Sequence, residues 1–196
     1  LSEEFYFTGG TALAHFYLHH RKSEDLDFFC QREFEPITVL AQIKSLKNSI
    51  GYNTIDIQTL QNRNIFQLRF SGGHFLKTEF TYFPFGQVEK PKRREGLLVD
   101  SLLDIAVNKL FTIAQNPRGR DYYDLYVIEK QENYGLEKLR MLAKQKFDWH
   151  VDPLQLGSQL ARVDELLDDP ILEKSISRAM VISYFKSQSQ KFKSEI

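Results

Sequence analysis

The chain has 196 residues, 42% of them apolar and 13% aromatic, which is ample for a buried core in one large or two small domains and excludes a largely disordered chain. Lysine plus arginine balances aspartate plus glutamate at 26 each, so no global positive field marks a nucleic-acid partner, and any such contact must come from local patches. A single cysteine, Cys30, excludes an internal disulfide; with no signal peptide and no apolar run of the ~20 residues a membrane span needs, the expected setting is soluble and cytoplasmic, with no membrane partner. Leu1 stands inside what reads as a running segment, which leaves the true N-terminus open.

Residues 11 to 21 read as a helix on the spacing of Leu13, Phe16 and Tyr17, leading into a strand over about 24 to 30. Pro36 opens a second helix to Ile50, with Ile37, Leu40, Ile43, Leu46 and Ile50 as its stripe and Gly51 as its end. Three strand-like runs follow, Thr54 to Leu60, Ile65 to Ser71 and His74 to Phe83, separated by Gln61 to Asn64 and by Gly72-Gly73, an antiparallel meander. In the last run Leu76, Thr78, Phe80 and Tyr82 share one face, and Phe75, Lys77, Glu79 and Thr81 the other.

A polar, basic connector from Gln87 to Glu95 reads as a loop and domain boundary. Beyond it only helical periodicity is expected, over Ser101 to Gln115, Arg120 to Gln131, Leu136 to Lys146, Pro153 to Leu167 and Pro170 to about Ser187, with Lys186 to Ile196 as a solvated tail. The expected domains are 1–95 and 96–196. Trp149 and the phenylalanines are expected in the core, Cys30 as a small buried hydrophobe, and His15 and His19 as ordinary helix residues, because no third zinc ligand stands near them.

The chemistry concentrates in two short segments. Asp25 and Asp27 lie two apart, and a strand points i and i+2 to one face, so two carboxylates face the same way while Leu26 and Phe28 turn to the core. Upstream, Gly9 and Gly10 bring backbone N–H groups toward an anion where Thr11 opens a helix. Mg²⁺ wants octahedral oxygen ligands and usually takes one or two carboxylates, with waters and substrate phosphates completing the shell. Glu79, on a neighbouring strand and the same side, is a candidate third carboxylate that would let two ions be bridged. Taken alone, Asp-x-Asp reads as the solvent face of an amphipathic strand, and it is the neighbouring motifs that favour a site. The basic patches, Lys90, Lys92, Arg93 and Arg94 in the connector and Lys186, Lys191 and Lys193 near the end, are either solvated loops or phosphate contacts for an RNA acceptor.

Gly9-Gly10-Thr11-Ala12-Leu13 followed by His20-Arg21-Lys22-Ser23-Glu24-Asp25-Leu26-Asp27-Phe28-Phe29 resembles the first two motifs of the AbiEii/AbiGii-type nucleotidyltransferase toxins, within the polymerase-beta-like superfamily. Asp104-Ile105-Ala106-Val107-Asn108-Lys109-Leu110 and then Arg118-Gly119-Arg120-Asp121-Tyr122-Tyr123-Asp124-Leu125 continue the likeness in the same order, over about residues 5 to 130. The resemblance implies an α+β fold: a nucleotidyltransferase core, a small mixed sheet flanked by helices, followed by a C-terminal helical lobe that completes the active cleft. It further implies Gly9, Gly10 and Thr11, helped by Ser23, as nucleotide-binding residues and Asp25 and Asp27 as ligands of Mg²⁺ or Mn²⁺, with Glu79 the candidate third ligand; Arg21, next to Ser23, is a further nucleotide-binding candidate whose planar fork suits phosphate. Lys109 is implied to bind phosphate, with Asp121 as its functional partner and Asp124 as a helix-face ion pair. Glu79 stands where the superfamily often has aspartate.

The implied reaction is transfer of a nucleoside monophosphate from a nucleoside triphosphate to an acceptor hydroxyl, in this family the tRNA 3′ end. The implied setting is a toxin with a cognate antitoxin, or phage defence. The residues alone leave open a small-molecule or protein acceptor, and a non-catalytic binding module on the same fold.

Overall fold

The computed structural model describes residues 3–166 and 170–193. The chain divides into two compact units. The first comprises residues 1–12, 23–86 and 90–100, and the second residues 13–22, 87–89 and 101–196.

The first unit holds a mixed seven-stranded sheet in the order β3-β4-β5-β2-β1-β7-β6. Its strands are β1 (Tyr6–Thr8), β2 (Leu26–Cys30), β3 (Thr54–Leu60), β4 (Arg63–Arg69), β5 (Phe75–Tyr82), β6 (Lys92–Arg94) and β7 (Leu97–Val99). The expected meander is present, β3 to β4 to β5 antiparallel, and β5 then pairs in parallel with β2. At the centre, β2 lies antiparallel to β1, and β1 parallel to β7.

Strands β1, β6 and β7 depart from the sequence reading, which placed its first strand at about 24–30, read Gln87 to Glu95 as a loop and expected no strand beyond it. Each has only three residues, too short for alternation to register, and Glu95 and Gly96 turn the β6–β7 hairpin with φ of 48° and 81°, the left-handed geometry of a tight turn.

One face of the sheet packs on α2 (Pro36–Ser45), which is followed by the short α3 (Lys47–Ile50). Phe5, Cys30, Val39, Ile43, Tyr52, Phe66, Leu68 and Phe80 form this core. Phe80 meets Phe28, Phe5 and Phe66 at centroid distances of 5.0, 5.2 and 5.9 Å, stacked on the first and edge-on to the others. The expected single helix breaks at Leu46, and its buried stripe is Val39 and Ile43, whereas Ile37 is 65% exposed and Leu46 and Ile50 are also exposed.

Helix α1 (Gly9–Leu13) runs into a wider π-type turn, Ala14–Leu18, which ends at His19 in the left-handed region, short of the helix expected to Arg21. The second unit also contains α4 (Leu102–Gln115), α5 (Gly119–Glu132), α6 (Leu136–Phe147), α7 (Pro153–Ala161) and α8 (Arg178–Lys193). Ile105, Leu110, Ile113, Tyr122, Leu125, Ile128, Leu139, Leu156 and Phe185 are its fully buried centre.

Two helix expectations shift. Helix α7 stops at Ala161, and Leu167, its expected end, lies outside the described residues. Residues from Pro170 to Ser177 form no helix: Ile171 accepts the Lys22 N–H and Leu172 bridges to Arg21. The expected tail is instead helical to Lys193 with Phe192 buried, while residues 194–196 lie outside the described set. Trp149 is 61% exposed rather than in the core. Among the described residues no helix is long and apolar enough to cross a membrane.

Phe80 holds three aromatic partners at once, so Phe80→Ala is expected to destabilise the first unit by about 3–5 kcal/mol. Urea unfolding followed by circular dichroism reads the loss.

Candidate active site

Pairing register places the acidic residues. Asp27 is opposite Thr8 on β1 and opposite Glu79 on β5, and register partners point to the same face. That face is the one turned away from α2, since Phe80 and Thr78 alternate to the other side. A ledge therefore runs across four strands, with Arg63 on β4, Lys77 and Glu79 on β5, Asp25 and Asp27 at the start of β2, and Gly9 just past β1.

Gly9 has φ of +74°, and a Cβ there would lie 2.4 Å from Asp27 Oδ2. The Asp27 carboxylate thus rests on the bare Cα of the first glycine, and any side chain at position 9 displaces it. Thr11 closes the same corner, its hydroxyl meeting the Asp25 carbonyl and standing 2.9 Å from the Ser23 hydroxyl. Beneath them Thr8 donates to Asp100 at 2.7 Å, and the Asp100 N–H donates to the Phe7 carbonyl at 2.9 Å, which ties the end of β1 to the residue after β7.

Asp25 is 37% exposed and pairs with Lys77 at 3.1 Å. Glu79 is nearly buried, and each of its oxygens takes one bond of 2.7 Å from the Arg63 guanidinium, with the Thr81 hydroxyl donating at 3.0 Å. Burial alone would raise the Glu79 carboxyl, but the Arg63 fork, the Thr81 hydroxyl and Lys77 outweigh it and hold Glu79 below its ordinary range. Glu79 is therefore next to Asp27 as expected, and each of its oxygens is bonded to Arg63. Among the described residues no group of three or more His, Cys, Asp or Glu side chains is gathered for a metal ion. Asp25 and Asp27 suit a hard cation such as Mg²⁺, which accepts two carboxylates and fills its remaining positions with water and phosphate oxygens. A cavity of about 340 Å³, lined by Thr59, Asn64, Tyr82 and residues 33–36, opens on the α2 side, and no ledge residue lines it.

The second unit carries the other motif residues in a buried ionic cluster. Asp124, fully buried, receives Arg21 Nε at 2.6 Å and Nη2 at 2.9 Å, Lys109 at 2.6 Å, and His20 Nε2 at 2.8 Å. Asp121 receives Lys109 at 2.7 Å and the Arg118 backbone N–H and Nε at 3.1 Å each. The i, i+3 spacing of the two aspartates on α5 does turn both to one lysine. Burial works against both charges, yet Lys109 and the arginines prevail, so both carboxyls stay below their ordinary range. Arg21, expected near nucleotide, is 4% exposed and committed to Asp124.

Asp104 and Lys109 are five apart on α4, about 140° round the helix, and serve different places. Asp104 pairs with fully buried Lys146 at 2.7 Å and accepts the backbone N–H groups of Val88 and Glu89. The sequence reading missed His20 and the centrality of Asp124. It also missed Arg63, whose one sequence signal was a cation in the tight β3–β4 turn region.

A model of the AbiEii family, described as nucleotidyl transferase AbiEii toxin, type IV toxin–antitoxin system, matches residues 1–181. The chain belongs to this family. It is an AbiEii nucleotidyltransferase, with the mixed α+β fold expected of one. Protein aq_aa25 of Aquifex aeolicus (strain VF5), itself uncharacterized, is 28% identical over 152 residues, 75% of this chain and 68% of the relative. Among solved structures, JHP933 from Helicobacter pylori superposes with a TM-score of 0.63 at 21% identity, covering 96% of this chain and 83% of that one. A second Helicobacter pylori structure gives 0.63 at 20% identity, covering 96% and 86%. At these identities the likeness is one of fold.

The buried cluster predicts how this AbiEii chain responds to acid. A folded Asp124 keeps its charge to lower pH than an unfolded aspartate, whose ordinary value is 3.8, so the folded state binds fewer protons and stability present above that value drains away as pH falls below it. Asp124→Asn leaves Arg21 and Lys109 short of a counter-charge and is expected to cost about 3–5 kcal/mol at pH 7, with a smaller further loss on acidification. Thermal melts of both proteins between pH 3 and pH 7 measure it.

Proposed function

We propose that this nucleotidyltransferase is metal-dependent, with a divalent cation on Asp25 and Asp27 and the triphosphate of the nucleotide held over Gly9, Gly10 and Thr11. The observation that carries the reading is the Asp27 carboxylate lying on the Gly9 Cα, because it sets a carboxylate pair directly beside backbone that no side chain shields. Such a pair, bound to Mg²⁺ or Mn²⁺, supplies charge neutralisation at the α-phosphate and at the leaving group.

The residues of the ledge divide the remaining work. Asp25 and Asp27 fix the cation, and Thr11 with Ser23 holds the loop that carries Asp25 against the start of α1. An acceptor hydroxyl oxygen forms a bond to the α-phosphorus as the bond from that phosphorus to the bridging oxygen breaks; pyrophosphate leaves and the hydroxyl proton passes to water. In the second unit, three cations, Arg21, Lys109 and Arg118, face two carboxylates, which leaves a formal surplus of one positive charge. Lys109 is assigned the phosphate-binding role, with Asp121 and Asp124 as positioning residues that hold its ammonium. The family's type IV toxin–antitoxin placement gives the setting, a toxin whose system includes an antitoxin, and the tRNA 3′ end is the acceptor that the motif resemblance favours.

The test is incubation with each labelled nucleoside triphosphate in turn, on total RNA and on total protein. Label is expected in the RNA fraction and only with Mg²⁺ or Mn²⁺ present. Asp25→Asn and Asp27→Asn should each lower transfer by roughly 10²–10³-fold, the scale of losing a charge-stabilising group, with the melting temperature held, since neither residue is in the core. Undiminished transfer by both variants would refute the metal assignment.

A further inference from the structure

Two cations on the ledge have no part in the reaction as drawn. Arg63 and Lys77 stand on β4 and β5, on the face that carries Asp27, and β5 and β4 follow β2 on the side away from β1 and Gly9. With strands ~4.8 Å apart, the Arg63 strand is about 10 Å from the Asp27 strand, on its opposite flank from the glycines.

Arg63 is built as a presenting group. Glu79, 7% exposed, grips Nε and Nη2 at 2.7 Å each, while the Arg63 side chain itself is 53% exposed and Nη1 has no partner among the described residues. A buried carboxylate that spends both oxygens on one guanidinium aims that guanidinium, and a fork already held in place loses little freedom when it meets a second oxygen ligand. Lys77 is held more loosely, by the single contact to Asp25.

Charge decides when this flank attracts an anion. Asp25, Asp27 and Glu79 against Arg63 and Lys77 leave a formal charge of minus one, which repels phosphate. A single divalent cation on the two aspartates turns it to plus one and competes with Lys77 for Asp25, releasing the ammonium. The flank is thus an anion site that the metal switches on.

We infer that Arg63, aimed by Glu79, and Lys77 form a second phosphate subsite, which engages a backbone phosphodiester of the acceptor strand while the glycine side holds the triphosphate. The assignment rests on the metal reading of Asp25 and Asp27. It gives Glu79 a positioning role toward Arg63, and it fits a polyanionic acceptor rather than a cationic small molecule. The same chemistry has a second source, the terminal phosphate of the nucleotide, and the measurement separates the two.

Binding of a labelled single-stranded oligoribonucleotide by fluorescence anisotropy, with and without Mg²⁺ and across a salt series, is compared with calorimetric binding of a non-hydrolysable nucleoside triphosphate, for the full chain and the variants Arg63→Gln, Lys77→Gln and Glu79→Gln. Wild type is expected to bind the oligonucleotide more tightly with Mg²⁺. Arg63→Gln should weaken that binding about tenfold, the scale of one charge-assisted hydrogen bond, and reduce the salt slope by ~0.7. Glu79→Gln should move the same way and Lys77→Gln less, with triphosphate affinity within about twofold of wild type for all three. Lys77 is half-exposed and held by a single contact, so its variant reports even if a change at buried Glu79 disturbs folding. Unchanged oligonucleotide affinity in Arg63→Gln, or a loss confined to the triphosphate, overturns the assignment. Magnesium-dependent triphosphate binding by the wild type and its loss in Asp27→Asn test the underlying metal reading separately.

Discussion

The carboxylate of Asp27 occupies the space where any side chain at position 9 would begin, and most of the first unit is arranged so that this can happen. Gly9 must take a left-handed φ, which brings the start of α1 down onto the start of β2. The antiparallel pairing of Thr8 with Asp27 fixes the height of the contact, and the parallel pairing of Asp27 with Glu79 fixes the third strand. Thr8 and Asp100 anchor β1 from below, and the aromatic cluster around Phe80 keeps the opposite face dry and the strands in register. Register matters because a slip of one residue would turn Asp27 into the core and Phe28 onto the ledge.

The second unit solves a different electrostatic problem. Burying two aspartates on one helix is costly, and the cost is offset only because His20, Arg21, Lys109 and Arg118 all converge on them. The cluster makes each charge depend on the others: Lys109 is dehydrated and held by two carboxylates, and Asp124 is shared among three donors. Such an arrangement gives a rigidly placed ammonium at the cost of sensitivity to any single loss. Glu79 and Arg63 repeat the device on a smaller scale in the first unit, a buried acid directing a half-exposed base.

What could be read from the sequence was what is local. Gly9-Gly10-Thr11 and Asp25-x-Asp27 carry their geometry in φ preference and strand alternation, so their meeting was foreseeable once a helix and a strand were placed. The β3–β5 meander was legible for the same reason, its hairpins marked by short polar or glycine-rich turns. Strands of three residues are not legible, and β1, which pairs with β2 and leads into Gly9, is one of them. Asp124 was underrated because its partners His20 and Arg21 lie 104 and 103 residues away, and helix periodicity says nothing about what a face will meet. Glu79 has the expected face and neighbour, and its bond to Arg63, a cation 16 residues upstream across a hairpin, is what strand alternation alone does not show. The Ile37 stripe failed because a helix with apolar residues on several faces does not say which face will be covered, and Val39 with Ile43 proved to be the covered pair.

The central claim is that a carboxylate pair and a bare glycine backbone together make a place for a metal-bound triphosphate. The most direct measurement is a crystal structure grown with Mn²⁺ and a non-hydrolysable nucleoside triphosphate, read by the anomalous signal of the manganese. The account predicts an anomalous peak within about 2.2 Å of oxygens from both Asp25 and Asp27, with triphosphate oxygens facing the backbone N–H groups of residues 9–11. Manganese bound elsewhere with the nucleotide ordered, or a nucleotide ordered away from Gly9 and Gly10, would contradict it.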